Sequence, residues 1–211
     1  MVQQRLLDIA IDAFGQHGLE GASTREIAAA AGTAMSSITY HYGGKEGLYL
    51  AAAEEVAKQM GDGESLDWID EVVAGGDPQA ARHAIEMILR NFIGRLQGER
   101  SNSWALFIMR EQLNPTGAFE RIYAGPMGHT ARGMVELICI ATGIQDREAA
   151  RLAAISLVGQ VLVLKAARAT VRKLLERDTL TPEILAAYTE RVVANADAIL
   201  DRMISERQEP Q

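Results

Sequence analysis

Apolar residues recur along this chain at intervals of three and four, and no stretch sustains the alternation of a half-buried strand. Leu6, Ile9, Ala10, Ala13, Phe14 and His17 fall at i, i+3 and i+4, so the spacing predicts a first helix that Gly18 stops. Three of the five prolines follow a residue suited to an N-cap: Asp77-Pro78, Asn114-Pro115 and Thr181-Pro182. Proline at the first helical position gives up only an N–H that had no intrahelical acceptor. Helices are therefore expected to begin near 78, 115 and 182. Gly125-Pro126 marks a further break with a long helix after it. The pattern predicts an all-α chain of about nine helices and no sheet.

Helix length divides the chain. Up to residue 44 the segments are short, cut by Gly18, Gly21, Gly32 and Gly43-Gly44, whereas from about 78 onward they are long. The reading is a small domain at 1–46 and a larger helical bundle at 47–211. A chain of 211 residues, 48% apolar and 23% charged, can bury about 70% of its unfolded surface and is typical of a globular protein. A single cysteine excludes an internal disulfide and a cysteine-based zinc site, which points to a reducing compartment. Asp8 and Asp12 interrupt the apolar stretch at the N-terminus, unlike a signal peptide. The most apolar run, Leu152–Leu164, has 13 residues, short of the roughly 20 that span a bilayer. A cytoplasmic protein with no membrane contact is expected.

Ser23-Thr24-Arg25-Glu26 has the form of a capping box, in which Ser23 accepts from the Glu26 N–H. The helix it opens, 24–31, ends before Gly32. A turn follows, then a second short helix, 35–42. Two short helices joined by a glycine-containing turn make a helix-turn-helix. At 100° per residue, Met35, Ile38 and Tyr42 share the inward side of the second helix. Ser36, Ser37, Tyr40 and His41 share the other, with Thr39 on the flank. Two hydroxyls, a tyrosine and a histidine suit a major-groove reader, where small polar groups reach base edges and longer donors reach phosphate. They equally suit a solvated face. Charge favours the latter: the chain carries −7, and residues 1–50 hold three cations (Arg5, Arg25, Lys45) against five acids (Asp8, Asp12, Glu20, Glu26, Glu46). A helical ligand-binding or interaction module without DNA binding is the alternative this balance supports.

The order Leu6, Ala10, Phe14, Gly18, Ser23-Thr24-Arg25-Glu26-Ile27-Ala28, Ala31-Gly32, Ile38-Thr39-Tyr40-His41-Tyr42 and Lys45-Glu46-Gly47-Leu48 resembles the DNA-binding domain of the TetR family of bacterial repressors. The resemblance implies a three-helix DNA-reading domain on a helical effector-binding domain, a homodimer, and a regulator, most often a repressor released from a palindromic operator by a small molecule. It implies phosphate contacts for Tyr40, His41 and Lys45. With Thr24, Thr33, Ser36 and Ser37 these form the candidate DNA-binding set. Two positions depart from the family pattern. Thr39 stands where a tyrosine is usual, and Ala34 where a serine usually opens the recognition helix, leaving Thr33 as a substitute cap. Phe107-Ile108-Met109-Arg110-Glu111-Gln112-Leu113-Asn114-Pro115-Thr116 further resembles a subgroup of TetR-type regulators with a CecR-like C-terminal domain, which shares the Thr-Tyr order.

In the larger domain, 147–175 is apolar nearly all round at its centre, and such a helix must be covered on every side. It is either the central helix of a monomer bundle or, as the resemblance favours, part of a homodimer interface with the helix at 182–205. Trp104, Phe107, Arg110, Tyr123, His129 and Gln160 are the candidate effector contacts, although aromatic residues on a helix are commonly plain core. Gln160 interrupts an apolar run and needs partners if buried. Arg110-Glu111 reads as an ion pair or a helix-end contact, with binding of an anionic ligand as the other option. Nothing suggests an enzyme: HExxH, GxSxG and glycine-rich phosphate loops are absent, and Cys139 between two isoleucines reads as a small hydrophobe. No cofactor or metal is expected.

Overall fold

The computed structural model describes residues 2–61, 66–95 and 101–208. Among them are twelve α-helical segments and no strand: α1 (Val2–Gly21), α2 (Thr24–Ala31), α3 (Met35–Tyr42), α4 (Lys45–Gly61), α5 (Asp67–Gly75), α6 (Pro78–Arg95), α7 (Ser101–Leu113), α8 (Gly117–Ile122), α9 (Gly128–Thr142), α10 (Arg147–Ala166), α11 (Arg168–Leu174) and α12 (Pro182–Gln208). A π-helical turn, Tyr123–Met127, joins α8 to α9. The all-α expectation stands, but the count exceeds about nine because several segments are short. The region expected as one segment at 147–175 breaks at Ala167 (φ −115°, ψ 32°). The break at Gly125-Pro126 takes the form of the π turn, because Gly125 leaves helical geometry (φ −91°, ψ −148°) and Pro126 has no N–H to give. The helix expected near 115 starts at Gly117, since Thr116 accepts the Ala118 N–H at 3.1 Å and so is the N-cap.

The chain forms two compact units, residues 1–65 with 98–129, and 66–97 with 130–211. This partition by packing does not follow the division at 46 read from helix length. The reason lies in the core of the first unit. Leu6, Phe14, Ile27 and Ile38 from α1–α3 are buried together with Leu48 and Tyr49 of α4, Phe107 of α7, and Ala118 and Ile122 of α8. Three helices, two of them of eight residues, have too little apolar surface to close a core alone. α1 is bent at Gly18 (φ 72°, ψ 177°), where the sequence places its end.

In the second unit, α6, α9, α10 and α12 bury Ile85, Leu89, Leu137, Ile138, Leu157, Val161, Val192 and Leu200. Arg82 bridges to Asp197 (3.0 Å) and Asp201 (2.6 Å), and Arg90 to Glu190 (2.6 Å), tying α6 to α12. α10 is long and apolar enough to cross a bilayer by composition alone. One side of it faces this core through Ala150, Leu157, Val161 and Leu164. The other side is exposed: Leu152 (62%), Ile155 (69%), Leu162 and Val163 form an apolar stripe left uncovered by the described residues.

Candidate nucleic-acid interface

α2 and α3 form where the sequence places them. The Ser23 hydroxyl accepts the Glu26 N–H at 3.3 Å, and Gly32 closes α2 in the left-handed conformation (φ 71°, ψ 33°). α3 ends on Gly43 (φ 75°), whose N–H donates to the Thr39 carbonyl at 3.0 Å. Ile38 anchors α3 to the core, and Tyr42 packs against its edge. Met35 does not join them. It lies in the opening turn and is 54% exposed, so the packed side of α3 is shorter than its angular pattern predicts.

The opposite side stands free. Tyr40 is 84% exposed, and the His41 ring meets it edge-on at 5.0 Å. Ser36 is exposed, Ser37 half-buried, and Thr24 and Thr33 half-buried at the start of α2 and in the turn. Ala34 at the N-cap of α3 offers no side-chain bond, and Thr33 does not replace it. The Ser37 N–H donates to the Ala34 carbonyl at 2.9 Å, while no side chain caps the Met35 and Ser36 N–H groups, and the positive end of the helix dipole lies beside Ser36 and Ser37. Such an end suits phosphate and base acceptors. It partly answers the acidic balance, because the attraction comes from peptide dipoles rather than formal charge.

Two of the three cations in this region are engaged within the chain. Lys45 donates to the Glu20 carbonyl at 2.9 Å, and Arg5 to the Ala30 carbonyl at 3.3 Å. Each sits at the negative end of a helix. Arg25 is exposed at the start of α2.

α3 is joined to α4 by more than its connecting residues. Gly43 and Gly44 take positive φ (75° and 121°), which turns the chain sharply. The first turn of α4 then lies directly on the end of α3: a Cβ at Gly47 would sit 1.6 Å from the Tyr42 carbonyl oxygen. Only glycine permits that approach. One turn on, Tyr49 is enclosed by aromatic rings, edge-to-face with Phe14 (4.9 Å) and stacked on Phe107 (4.7 Å). Its hydroxyl donates to Glu111 Oε1 at 2.6 Å. Burial, together with that carboxylate, pushes the phenol well above its ordinary pKa.

Five of the six candidate effector residues fall in this same compact unit, and Gln160 falls in the other. Phe107 is fully buried under Tyr49. Trp104 packs on the edge of the core, Tyr123 is partly exposed and stacks on Phe119 at 5.8 Å, and His129 is half-buried. Arg110 donates to the Gln16 carbonyl at 3.1 Å, beside the bend at Gly18. Glu111 receives the first turn of α8. Both residues of the Arg110-Glu111 pair thus make helix-end contacts. Gln160 Oε1 accepts from the Asn195 amide at 2.7 Å and its carbonyl from the Tyr188 hydroxyl at 2.6 Å, which ties α10 to α12. Cys139 is half-buried, and burial raises its thiol pKa. Sequence reasoning gave no role to Gly47 or Tyr49, and read Glu111 only together with Arg110. Gly47 and Glu111 lie inside the quoted family stretches, but nothing in their spacing says what they touch.

Similarity to known proteins agrees with this geometry. Residues 6–52 match the family described as bacterial regulatory proteins, tetR family. Residues 81–204 match the C-terminal domain of the HTH-type transcriptional dual regulator CecR. The CecR dual regulator of Shigella flexneri is 33% identical over 174 residues, covering 80% of this chain and 78% of that protein. The transcriptional repressor AcnR of Corynebacterium glutamicum is 38% identical over 73 residues, 35% of this chain and 39% of that one. A crystal structure of a TetR-family regulator from Mesorhizobium loti has the same fold, with a TM-score of 0.60, 18% identity and 95% of each chain covered.

Proposed function

Since this chain belongs to the TetR family of bacterial regulatory proteins, with a CecR-type C-terminal domain, we propose that it acts in the cytoplasm as a repressor released from a palindromic operator by a small effector. It is a ligand-responsive, DNA-binding transcriptional regulator and not an enzyme; members of the family bind operators and are typically dimers. The observation that carries the finer reading is the uncapped N-terminus of α3 with Ser36, Ser37, Tyr40 and His41 presented beside it. In this reading Ser36 and Ser37 reach base edges, Tyr40, His41 and Lys45 hold phosphates, and Thr24 and Thr33 flank them. Of the relatives, one is named a dual regulator and one a repressor.

The dimer forms through the exposed stripe of α10, with α12 beside it, corresponding to the helices at 147–175 and 182–205. A contiguous apolar stripe of this kind marks an interaction surface. The effector binds within 47–211, with Trp104, Phe107, Arg110, Tyr123, His129 and Gln160 as candidate contacts, residues that also make contacts within the chain.

Selection of duplexes from a random pool with the full-length protein tests the reading. Enrichment of a palindrome with half-sites about 34–36 Å apart, or a multiple of that, is expected. Failure to enrich any sequence would remove operator binding from the proposal. On the enriched duplex, Lys45→Ala should weaken binding to all sequences alike and flatten the salt dependence by about one unit per lysine removed. Ser36→Ala and Ser37→Ala should instead change base preference. An unchanged salt slope for Lys45→Ala would show that Lys45 only pins α4 to Glu20. Effector and operator should oppose each other reciprocally, each weakening the other by the same factor, typically about 5–150-fold. Equal effector affinity for free and operator-bound dimer would sink the release mechanism.

A further inference from the structure

Glu111 is a carboxylate with 1% of its surface exposed, yet among the described residues it has no ion-pair partner. It is satisfied instead by four donors. Oε1 accepts the Tyr49 hydroxyl at 2.6 Å, and Oε2 accepts the Thr116 N–H (2.9 Å), the Thr116 hydroxyl (2.9 Å) and the Phe119 N–H (3.0 Å). One side chain at the end of α7 therefore closes the opening turn of α8 with one oxygen and grips α4 with the other.

The grip extends along α4. Leu50, Glu54, Ala57 and Gly61 are spaced four, three and four apart and so share one side of the helix. They meet Gly117, Arg121, Gly125 and Pro126 in the same order. Arg121 pairs with Glu54. A Cβ at Gly117 would lie 3.8 Å from the Leu50 side chain, one at Gly125 3.3 Å from Ala57, and one at Gly61 3.0 Å from Pro126. α8 and the π turn thus lie along α4 with little slack, and Glu111 fixes their register at the end nearest α3. At that end Gly47 rests on the backbone of Tyr42, so α3 moves with α4. The connection runs from α8 through Glu111 and Tyr49 to α4, and through Gly47 to α3.

We propose that Glu111 and Tyr49 are positioning residues for DNA recognition: their buried hydrogen bond sets the seating of α4 on α7 and α8, and with it the presentation of α3. This deepens the reading of α3 as the DNA-reading helix and rests on it. A hydrogen bond in a shielded site is directional and has no water to replace it, so its loss leaves a carboxylate oxygen short of a donor and frees α4 to shift. Ring packing alone constrains the seating less, because stacked faces slide.

The test uses the full-length protein and the duplex enriched by selection, with a scrambled duplex as control. Tyr49→Phe keeps the ring between Phe14 and Phe107 and removes only the donor. At a temperature where circular dichroism shows the variant fully folded, its operator affinity should fall about tenfold, within the usual range of coupling between sites. Affinity for the scrambled duplex should not change. Glu111→Met, which keeps the side chain's length and removes both acceptor oxygens, should lose at least that factor, and the double variant Tyr49→Phe/Glu111→Met should be no worse than Glu111→Met alone, because the Tyr49 hydroxyl then has no acceptor left to lose. If Glu111→Met does not fold, Tyr49→Phe alone, which removes the donor and keeps the ring, decides between the outcomes. A lowered Tm with unchanged operator affinity in folded Tyr49→Phe would make the pair structural only and overturn the proposal. If the parent protein itself enriches no operator, the DNA reading has failed rather than the positioning role.

Discussion

Gly47→Ala is expected to reduce operator affinity to the level of non-specific binding, a loss of about 10³-fold or more. The methyl group would sit 1.6 Å from the Tyr42 carbonyl oxygen and 2.8 Å from its carbon. Both are backbone atoms, so no rotamer change relieves the clash, and the end of α3 must leave the start of α4. Ile38 still anchors α3 to the core, so the helix should tilt rather than unfold. Two tilted heads in a dimer cannot both enter adjacent major grooves, and the specific contacts are lost together. Binding to scrambled DNA depends on charge, which the substitution leaves alone. Anisotropy titrations with operator and scrambled duplexes check this. Far-UV circular dichroism should show helix content close to that of the parent. Operator affinity equal to the parent's would show that the close approach of α3 and α4 has no part in recognition.

Ile155→Arg should convert the dimer into folded monomers. Ile155 is 69% exposed in the single chain, at the centre of the stripe formed with Leu152, Leu162 and Val163, so an arginine there is solvated in the monomer. In the proposed dimer it would be buried without a partner, at a cost of about 3–5 kcal/mol. That weakens association by about 10²–10³-fold or more, since about 1.4 kcal/mol is tenfold. Sedimentation equilibrium across a concentration series reads the change, and operator affinity should fall with it. The same substitution at Val161 tests something else. Val161 is fully buried inside the chain, so Val161→Arg should unfold the second unit rather than separate protomers. Ile199 is partly buried against that same core, so Ile199→Arg would report on stability and association together. An Ile155→Arg variant that remains dimeric would place the interface on another surface.

Much of the architecture is local in origin and so was legible in the chain. Ser23 caps α2 and Gly32 and Gly43 close α2 and α3 because capping depends on residues within one turn. Pro78 and Pro182 open α6 and α12 for the same reason. The exposed side of α3 follows from helical angle, and the order of residues from Leu6 to Leu48 carried the family. The apolar circumference read at 147–175 is seen in α10 as a buried side and an exposed apolar side.

What the sequence left open depends on which helices meet. Val161 and Ile155 are both apolar residues of one helix, and only the packing of α10 on α6 and α12 decides that Val161 is core and Ile155 surface. Gln160 stands out in the sequence as a polar interruption, but Asn195, which satisfies it, lies 35 residues away on α12. Glu111 carries no mark of burial in its neighbours. Its donors come from Tyr49, 62 residues earlier, and from a helix that begins at Gly117. Residues 101–129 are helical by their own pattern, but they pack with α1–α4 because those helices have an unclosed core that Phe107, Ala118 and Ile122 complete. Periodicity and capping within a segment determined most of the helices and many of their ends, but not the break at Ala167, the start of α8 at Gly117 or the exposure of Met35. The partner of that side was decided by burial of apolar surface summed over the whole chain, a quantity that no single segment contains.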